Sequence, residues 1–177
     1  MFELVRTGAA STTNRLLAPQ GLNSDDFGRL AVLLDVQPRK AHKIGLVAAR
    51  KASRPEEVVT NWNGVETRNT AQPGDFIVTN LSARRSVLRD RSGNANVYVI
   101  RAASFHGLYE SDGGATEFGE VYRAKGSVEA LYLSGGFEIL APWGEVQSAN
   151  RGYILRNSHE VYGNNRETFD LTYVLDK

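Results

Sequence analysis

The sequence predicts a mainly β (α+β) protein made of two related small modules, each barrel- or sandwich-like, with a short N-terminal helix. Three observations predict this class. Short strand-like runs recur at regular spacing toward the C-terminus, turns rich in Gly, Asn and Pro separate them, and one segment alone has strong helical periodicity. With 177 residues, 41% of them hydrophobic, the chain is long enough to bury a core.

The composition excludes several classes of function. There are no cysteines, which rules out disulfides, thiolate nucleophiles and cysteine-ligated zinc. The net charge is +1, so any attraction to nucleic acid or to a membrane must be local. No run approaches the ~20 apolar residues of a membrane span, and the N-terminus lacks a signal-peptide core. We therefore expect a soluble, cytoplasmic protein without a membrane partner.

The segment NSDDFGRLAVLLDV gives the best helix signal. Ser24 is the predicted N-cap, the two aspartates after it suit the positive end of the helix dipole, and Pro38 ends the helix. Four apolar side chains at helical spacing form the face expected to pack on a sheet: Phe27, Leu30, Leu33 and Leu34. The following run HKIGLVAARKA is predicted to be one strand.

Turn chemistry marks the middle of the chain. Asn63-Gly64 lies between two strand-like runs and predicts a type I′ hairpin, because both central residues of that turn need a positive φ. Pro73-Gly74-Asp75 predicts a second turn, whose aspartate can accept backbone N–H bonds. The polar run ESDGGATEFG has the composition of a linker.

Aromatic spacing predicts an internal duplication of roughly 45–110 and 120–175. The two tryptophans, Trp62 and Trp143, each stand at the tip of a predicted hairpin. Further on, the same aromatic spacing occurs twice, first as Tyr98, Phe105 and Tyr109 and then as Tyr162, Phe169 and Tyr173.

This spacing divides the chain into four parts. They are an N-terminal strand and helix (1–44), a first β module (45–110), a linker (111–119) and a second β module (120–177). We expect the modules to share one core, packed through their aromatic faces about a pseudo-twofold axis, because each copy alone is small.

The runs AQPGDFIVTN and VYVIRAASFHGLYE resemble the signature of the PGDYG family, which comprises small bacterial and phage-associated domains of unestablished function. The matching residues are Pro73, Gly74, Asp75, Phe76, Tyr98, Ile100, Phe105 and Tyr109. The second copy has Arg151 in place of the proline and lacks the aspartate. The resemblance implies a compact β-rich module. The family has no known catalytic residues that could be assigned to this chain, and its context suggests a component of a phage or mobile-element assembly.

Most of these aromatic residues are expected to be core. For Trp62 and Trp143 two interpretations stay open, a lid over the core or an exposed contact for a ligand or partner.

The best functional lead is the segment LSARRSVLRDRSGNANV, residues 81–97, which the second copy lacks; we call it the arginine arm. It carries Arg84, Arg85, Arg89 and Arg91 with Asp90 as its only acidic residue. Strand alternation would place Arg85, Val87, Arg89 and Arg91 on one face and Leu88 on the other. Arginine forks match phosphate oxygens, so the arm is a candidate contact for nucleic acid, a nucleotide or an acidic protein surface. The alternative is a solvated hairpin whose arginines pair with surface carboxylates.

The arm itself has no aromatic side chain to stack on bases, although Tyr98 and Trp62 are candidates to lie beside it. The other candidate residues are weak. His42, His106 and His159 lack metal-ligand spacing, His159-Glu160 has nothing to specify acid–base work, and the carboxylates of the linker suit a solvated loop.

No catalytic motif is present, and neither a metal nor a cofactor is expected. The sequence thus predicts a non-enzymatic binding module that acts through the arginine arm. The alternative prediction is an enzyme or small-molecule-binding protein with its site in the cleft between the two repeats.

Overall fold

The computed structural model describes residues 1–8, 12–158 and 160–177. Within these residues the chain is mainly β, as predicted, with three short helices: α1 (Ser24–Leu34), α2 (Ala102–Leu108) and α3 (Arg166–Thr172). The strands in chain order are β1 (Glu3–Thr7), β2 (Thr13–Ala18), β3 (Arg39–Lys43), β4 (Leu46–Lys51), β5 (Glu56–Trp62), β6 (Val65–Ala71), β7 (Phe76–Leu81), β8 (Val97–Ile100), β9 (Tyr109–Thr116), β10 (Gly119–Ala124), β11 (Ser127–Leu133), β12 (Phe137–Leu140), β13 (Val146–Ala149), β14 (Gly152–Arg156), β15 (Val161–Asn165) and β16 (Tyr173–Leu175). None of these helices is long and apolar enough to cross a bilayer.

The chain divides into two compact units whose boundaries differ from those predicted. The first unit combines Met1–Lys43 with Ser127–Lys177, and the second is Ile44–Gly126. The N-terminal segment belongs with the C-terminal one because β3 pairs with both β11 and β16. The predicted linker at 111–119 is instead part of the β9–β10 hairpin of the second unit. The expected core shared about a pseudo-twofold axis stays a prediction.

In the first unit, a core lies between two sheets. The four-stranded sheet has the order β1-β2-β12-β13, with β2 and β12 parallel, and the five-stranded sheet has the antiparallel order β15-β14-β11-β3-β16. Residues of both sheets and of α1 form one hydrophobic cluster, which includes Leu16, Phe27, Leu131 and Phe137. The other face of the five-stranded sheet packs against Phe169 of α3.

In the second unit, one five-stranded antiparallel sheet has the order β8-β7-β4-β10-β9. Phe105 of α2 belongs to the cluster on one face. On the other face, Val58 of β5 and Ala71 of β6 pack with Ile77, so the β5–β6 hairpin covers that side. No sheet among the described residues closes into a barrel.

Helix α1 begins one residue earlier than predicted. Its N-cap is Asn23, whose side chain accepts from the amide of Asp26 (2.8 Å), while the amide of Asn23 donates to the Asp26 carboxylate (3.2 Å). Asp35 ends the helix in the left-handed conformation, at φ 55°. The predicted apolar face is wrong at Leu33, which is 47% exposed, because the buried stripe continues through Ala31 instead.

The residues 42–52 form two strands rather than the single strand predicted. Gly45, at φ 114°, separates β3 from β4, and these strands belong to different sheets. A positive φ interrupts an extended strand and suits glycine. Gly45 therefore lies beside the point where the chain passes from the first unit to the second.

The two turns predicted in the second unit are confirmed. Asn63 and Gly64 have φ values of 51° and 81° between β5 and β6, as a type I′ turn requires. The buried Asp75 carboxylate accepts from the amides of Gln72 (2.9 Å) and Ala102 (3.0 Å) and from the Arg101 guanidinium (2.6 Å). The Gln72 amide first, and then Arg101, hold the pKa of Asp75 below its usual range.

Stacked rings attach α2 to the sheet. The ring of Phe105 lies 3.8 Å from that of Phe76, nearly parallel to it, and 5.3 Å from that of Tyr109. The hydroxyls of Tyr109 and Tyr98 are 3.0 Å apart, and burial raises the pKa of Tyr98. Phe105 is fully buried. A helix of seven residues is not stable alone in water, so these contacts hold it in place.

The first unit has the same contacts under α3. The ring of Phe169 lies 3.9 Å from that of Tyr153 and 5.2 Å from that of Tyr173. The hydroxyls of Tyr173 and Tyr162 are 3.1 Å apart, and burial raises the pKa of Tyr162. The aromatic residues predicted to be core therefore pack in the core of both units, with Phe105, Tyr109, Phe169 and Tyr173 buried and Tyr98 and Tyr162 partly buried.

Replacing Phe105 by Ala should lower the free energy of unfolding by about 3–5 kcal/mol, because it removes the central ring of the stack and leaves a cavity. Denaturant unfolding followed by circular dichroism measures this change. Leu171→Ala is the control, because Leu171 is 73% exposed and its truncation should cost no more than about 0.5 kcal/mol. Equal losses in the two variants would contradict the proposed role of the stack.

Candidate anion-binding surface

The arginine arm joins β7 to β8 and folds as two consecutive tight turns. In the first turn the amide of Ser82 donates to the carbonyl of Ser86 (2.7 Å), and in the second the amide of Asp90 donates to the carbonyl of Asn94 (2.9 Å). Pairing around these turns consists of isolated bridges. The arm is therefore not the continuous strand that the alternation of its side chains predicted.

The predicted grouping of Val87 with the arginines is wrong. Val87 is half-buried and packs against the cluster that contains Leu81 and Val121, whereas Leu88 is 41% exposed. The first turn reverses the chain just before Val87 and brings that side chain back onto the sheet. An apolar anchor thus lies beneath the arm, with Leu88 on its solvent side.

Arg85 attaches the first turn to strand β9. Its guanidinium forms an ion pair with the Asp112 carboxylate (2.9 Å) and donates to the carbonyl of Gly113 (2.7 Å). The second carboxylate oxygen of Asp112 pairs with Arg123 at 2.5 Å. Gly114, beside this contact, has φ 80°, a conformation that favours glycine. Arg85 itself has φ 64°, an uncommon conformation for an arginine, which these contacts offset.

Asp90 organises the second turn. One of its carboxylate oxygens accepts from the amides of Ser92 and Asn94, both at 2.9 Å. The other accepts from the amide of Asn63 at 3.0 Å, which attaches the turn to the tip of the β5–β6 hairpin. These hydrogen bonds, with the Asn94 amide contributing most, hold the pKa of Asp90 below its usual range. The negative charge of the arm is therefore engaged in local structure.

Three arginines of the arm have no carboxylate partner within residues 1–8, 12–158 and 160–177. Among the residues that the structure describes, neither Arg84 nor Arg91 forms an ion pair, and both are exposed. Arg89 is also exposed and unpaired, and its guanidinium donates to the carbonyl of Gly93 (2.9 Å). The four predicted arginines thus divide into one anchor, Arg85, and three cations available to a ligand.

The two aromatic residues predicted to lie beside the arm have different places. Tyr98 is not available as a contact, because its ring packs in the aromatic cluster under α2 and its hydroxyl donates to the side chain of Asn80 (2.8 Å). Trp62 is half-buried at the end of β5. It precedes Asn63, whose backbone amide donates to Asp90 of the second turn.

Trp143, the other tryptophan, is a surface residue of the first unit. It is 54% exposed, its indole N–H donates to the Glu145 carboxylate (2.9 Å), and its ring lies 5.7 Å from that of Tyr162. Of the two interpretations left open, this exposure favours a contact residue over a lid.

The other candidates give no second site. His42 pairs with Asp176 at 2.7 Å, His106 lies edge-on to the Phe76 ring, and His159 is outside the described residues. No group of three or more His, Asp or Glu side chains in the described part of the chain is placed to hold a metal ion.

Sequence reasoning missed Asp112, which was grouped with the solvated carboxylates Glu110, Glu117 and Glu120. Its role depends on strand pairing, because Arg85 lies 27 residues away in the chain. No local pattern in the sequence signals that contact.

No protein-family model, curated protein or solved structure matches this chain. The resemblance to the PGDYG family stays a prediction, and the interpretation of the arm depends on its own contacts.

Replacing Asp112 by Asn should loosen the first turn of the arm, because Arg85 loses its ionic partner. We expect the amide hydrogens of Arg85 and Ser86 to exchange with solvent about two- to fivefold faster. This factor corresponds to the loss of a partly exposed ion pair that stabilises the turn by about 0.4–1 kcal/mol. Hydrogen–deuterium exchange with site resolution measures this rate. Glu117→Gln, an exposed carboxylate of the β9–β10 connection, is the control. Unchanged exchange in the Asp112 variant would exclude the anchoring role.

Proposed function

We propose that this chain is a non-enzymatic binding module whose arginine arm engages a phosphate-bearing or acidic partner. The observation that carries the proposal is that Arg84, Arg89 and Arg91 form no ion pair with any described residue, on a segment that is otherwise fixed. Surface arginines commonly pair with neighbouring carboxylates. Here the carboxylate within the arm, Asp90, is engaged by backbone amides, and the carboxylate that anchors it, Asp112, is engaged by Arg85 and Arg123.

A fixed arm is suited to binding because less conformational freedom is lost on association. The first turn is held by Arg85 and the second by Asp90, while the half-buried Val87 lies between them. The Arg89 guanidinium has one hydrogen bond to the Gly93 carbonyl. Each of the three guanidinium groups is a planar fork that matches two oxygens of a phosphate or carboxylate.

We also propose that the two five-stranded sheets are copies of one ancestral unit. Their strand orders correspond, and each has a seven-residue helix after an edge strand, α2 after β8 and α3 after β15. Val78 pairs with Tyr98 in one sheet as Leu155 pairs with Tyr162 in the other. In the first unit, the four residues 157–160 connect β14 to β15, whereas the arm connects the corresponding strands of the second unit. On this proposal the arm is an addition to one copy, and the shared fold does not explain it.

The proposal is tested by the triple variant Arg84→Ser, Arg89→Ser and Arg91→Ser. Fluorescence anisotropy measures its binding to labelled polyanions (DNA, RNA and a polyglutamate peptide) across a salt series. We expect salt-dependent binding of wild-type protein to at least one probe and a loss of about tenfold or more in the variant. The control, Arg54→Ser with Lys125→Ser and Lys177→Ser, removes the same charge from exposed positions outside the arm.

Binding that falls equally in the control would show a general charge effect and contradict a site on the arm. Absence of binding by wild-type protein at low salt would contradict the proposal altogether. The alternative prediction, an enzyme or small-molecule-binding protein, requires an activity that survives loss of the three arginines.

A further inference from the structure

The free cations of the arm occupy two separate turns. Arg84 lies in the first turn, and Arg89 and Arg91 flank Asp90 in the second. Between the turns, the amide of Leu88 donates to the carbonyl of Asn80 (3.0 Å) and keeps the chain against the sheet. Cations distributed in this way suit a ligand whose negative charges repeat along its length, whereas a single nucleotide needs donors that converge on one phosphate group.

The arm itself has no aromatic ring on which an unpaired base would stack, and Trp62 of the adjoining hairpin is half-buried. Residues 81–97 contain no aromatic side chain, and the neighbouring Tyr98 is partly buried, with its hydroxyl bonded to Asn80 and Tyr109. Stacking on aromatic side chains is worth roughly tenfold in affinity per base to proteins that bind single strands. A duplex does not require it, because its bases are stacked inside and its phosphates face outward at high density.

The remaining exposed side chains of the arm are small and polar. Ser86, Ser92 and Asn94 are exposed beside the arginines, and serine and asparagine are common donors to phosphate oxygens. An acidic protein surface is a poorer match, since protein interfaces are usually centred on buried apolar and aromatic residues. The large apolar side chain that the arm exposes is Leu88.

We propose that the ligand of the arginine arm is a double-stranded nucleic acid, bound through its sugar–phosphate backbone without reading of the base sequence. This inference rests on the proposed function and names its ligand. Arg84, Arg89 and Arg91 contact phosphates, and the serine and asparagine side chains supply further hydrogen bonds to the backbone. Arg85 is a positioning residue that remains bound to Asp112.

The test compares four labelled probes by anisotropy with the full-length chain. Two are DNA duplexes of equal length and unrelated sequence, one is a single strand taken from them, and one is a polyglutamate peptide of similar charge. We expect the two duplexes to bind within about twofold of each other and about tenfold more tightly than the single strand. Three phosphate contacts predict a slope of log affinity against log salt of about −2.7.

Single substitutions assign the contacts. Arg84→Ser, Arg89→Ser and Arg91→Ser should each reduce that slope by about 1 on both duplexes, while Lys125→Ser leaves it unchanged. Tighter binding of the single strand or of polyglutamate would overturn this inference and leave the proposed function standing. A difference of more than about tenfold between the duplexes would overturn it too, because it would show base readout. Failure of every probe to bind at low salt would remove the proposed function as well.

Discussion

The packing of one phenylalanine ring against another determines much of the second unit. Phe105 on Phe76 holds a seven-residue helix that is too short to persist by itself. The same ring contacts Tyr109, the first residue of β9, so the stack sets where that edge strand begins. Asp112 follows three residues later, and its carboxylate forms the ion pair with Arg85. The position of the arm therefore depends on a ring contact in the core.

The first unit shows what the same packing gives without an arm. Phe169 stacks on Tyr153, and Asp176 lies three residues beyond Tyr173, as Asp112 lies three beyond Tyr109. Each of these aspartates pairs with a side chain of the neighbouring strand, His42 in one unit and Arg123 in the other. In the second unit an additional arginine, Arg85, reaches the same carboxylate; among the described residues of the first unit no arginine does so. An aspartate at this place is thus paired in both units, and the arm is attached to it in the second.

Local sequence chemistry was enough to predict the features whose cause is local. Asn63-Gly64 and Pro73-Gly74-Asp75 form the expected turns because the φ values and hydrogen bonds that define them belong to adjacent residues. Phe105 and Tyr109 are four residues apart, so one helical turn brings their rings together. The mainly β class followed from the same kind of evidence.

The features that depend on distant pairing could not be predicted in this way. β3 joins a sheet whose other strands lie more than eighty residues later, which no local pattern records. β9 has the composition of a linker because it is an edge strand whose side chains are largely exposed. Asn23 displaced Ser24 as the N-cap because both residue types cap helices well and their order alone does not decide between them.

Binding of a duplex by the arm is tested most directly by NMR. The protein is labelled with ¹⁵N-arginine, the Nε–H signals of the arm's arginines are assigned, and the signals are followed during titration with a DNA duplex. We expect the Nε–H signals of Arg84, Arg89 and Arg91 to shift with added duplex. The signal of Arg85 should not shift, because its guanidinium remains paired with Asp112. Shifts confined to arginines outside the arm, or a shift of Arg85 with none at the other three, would contradict binding by the arm.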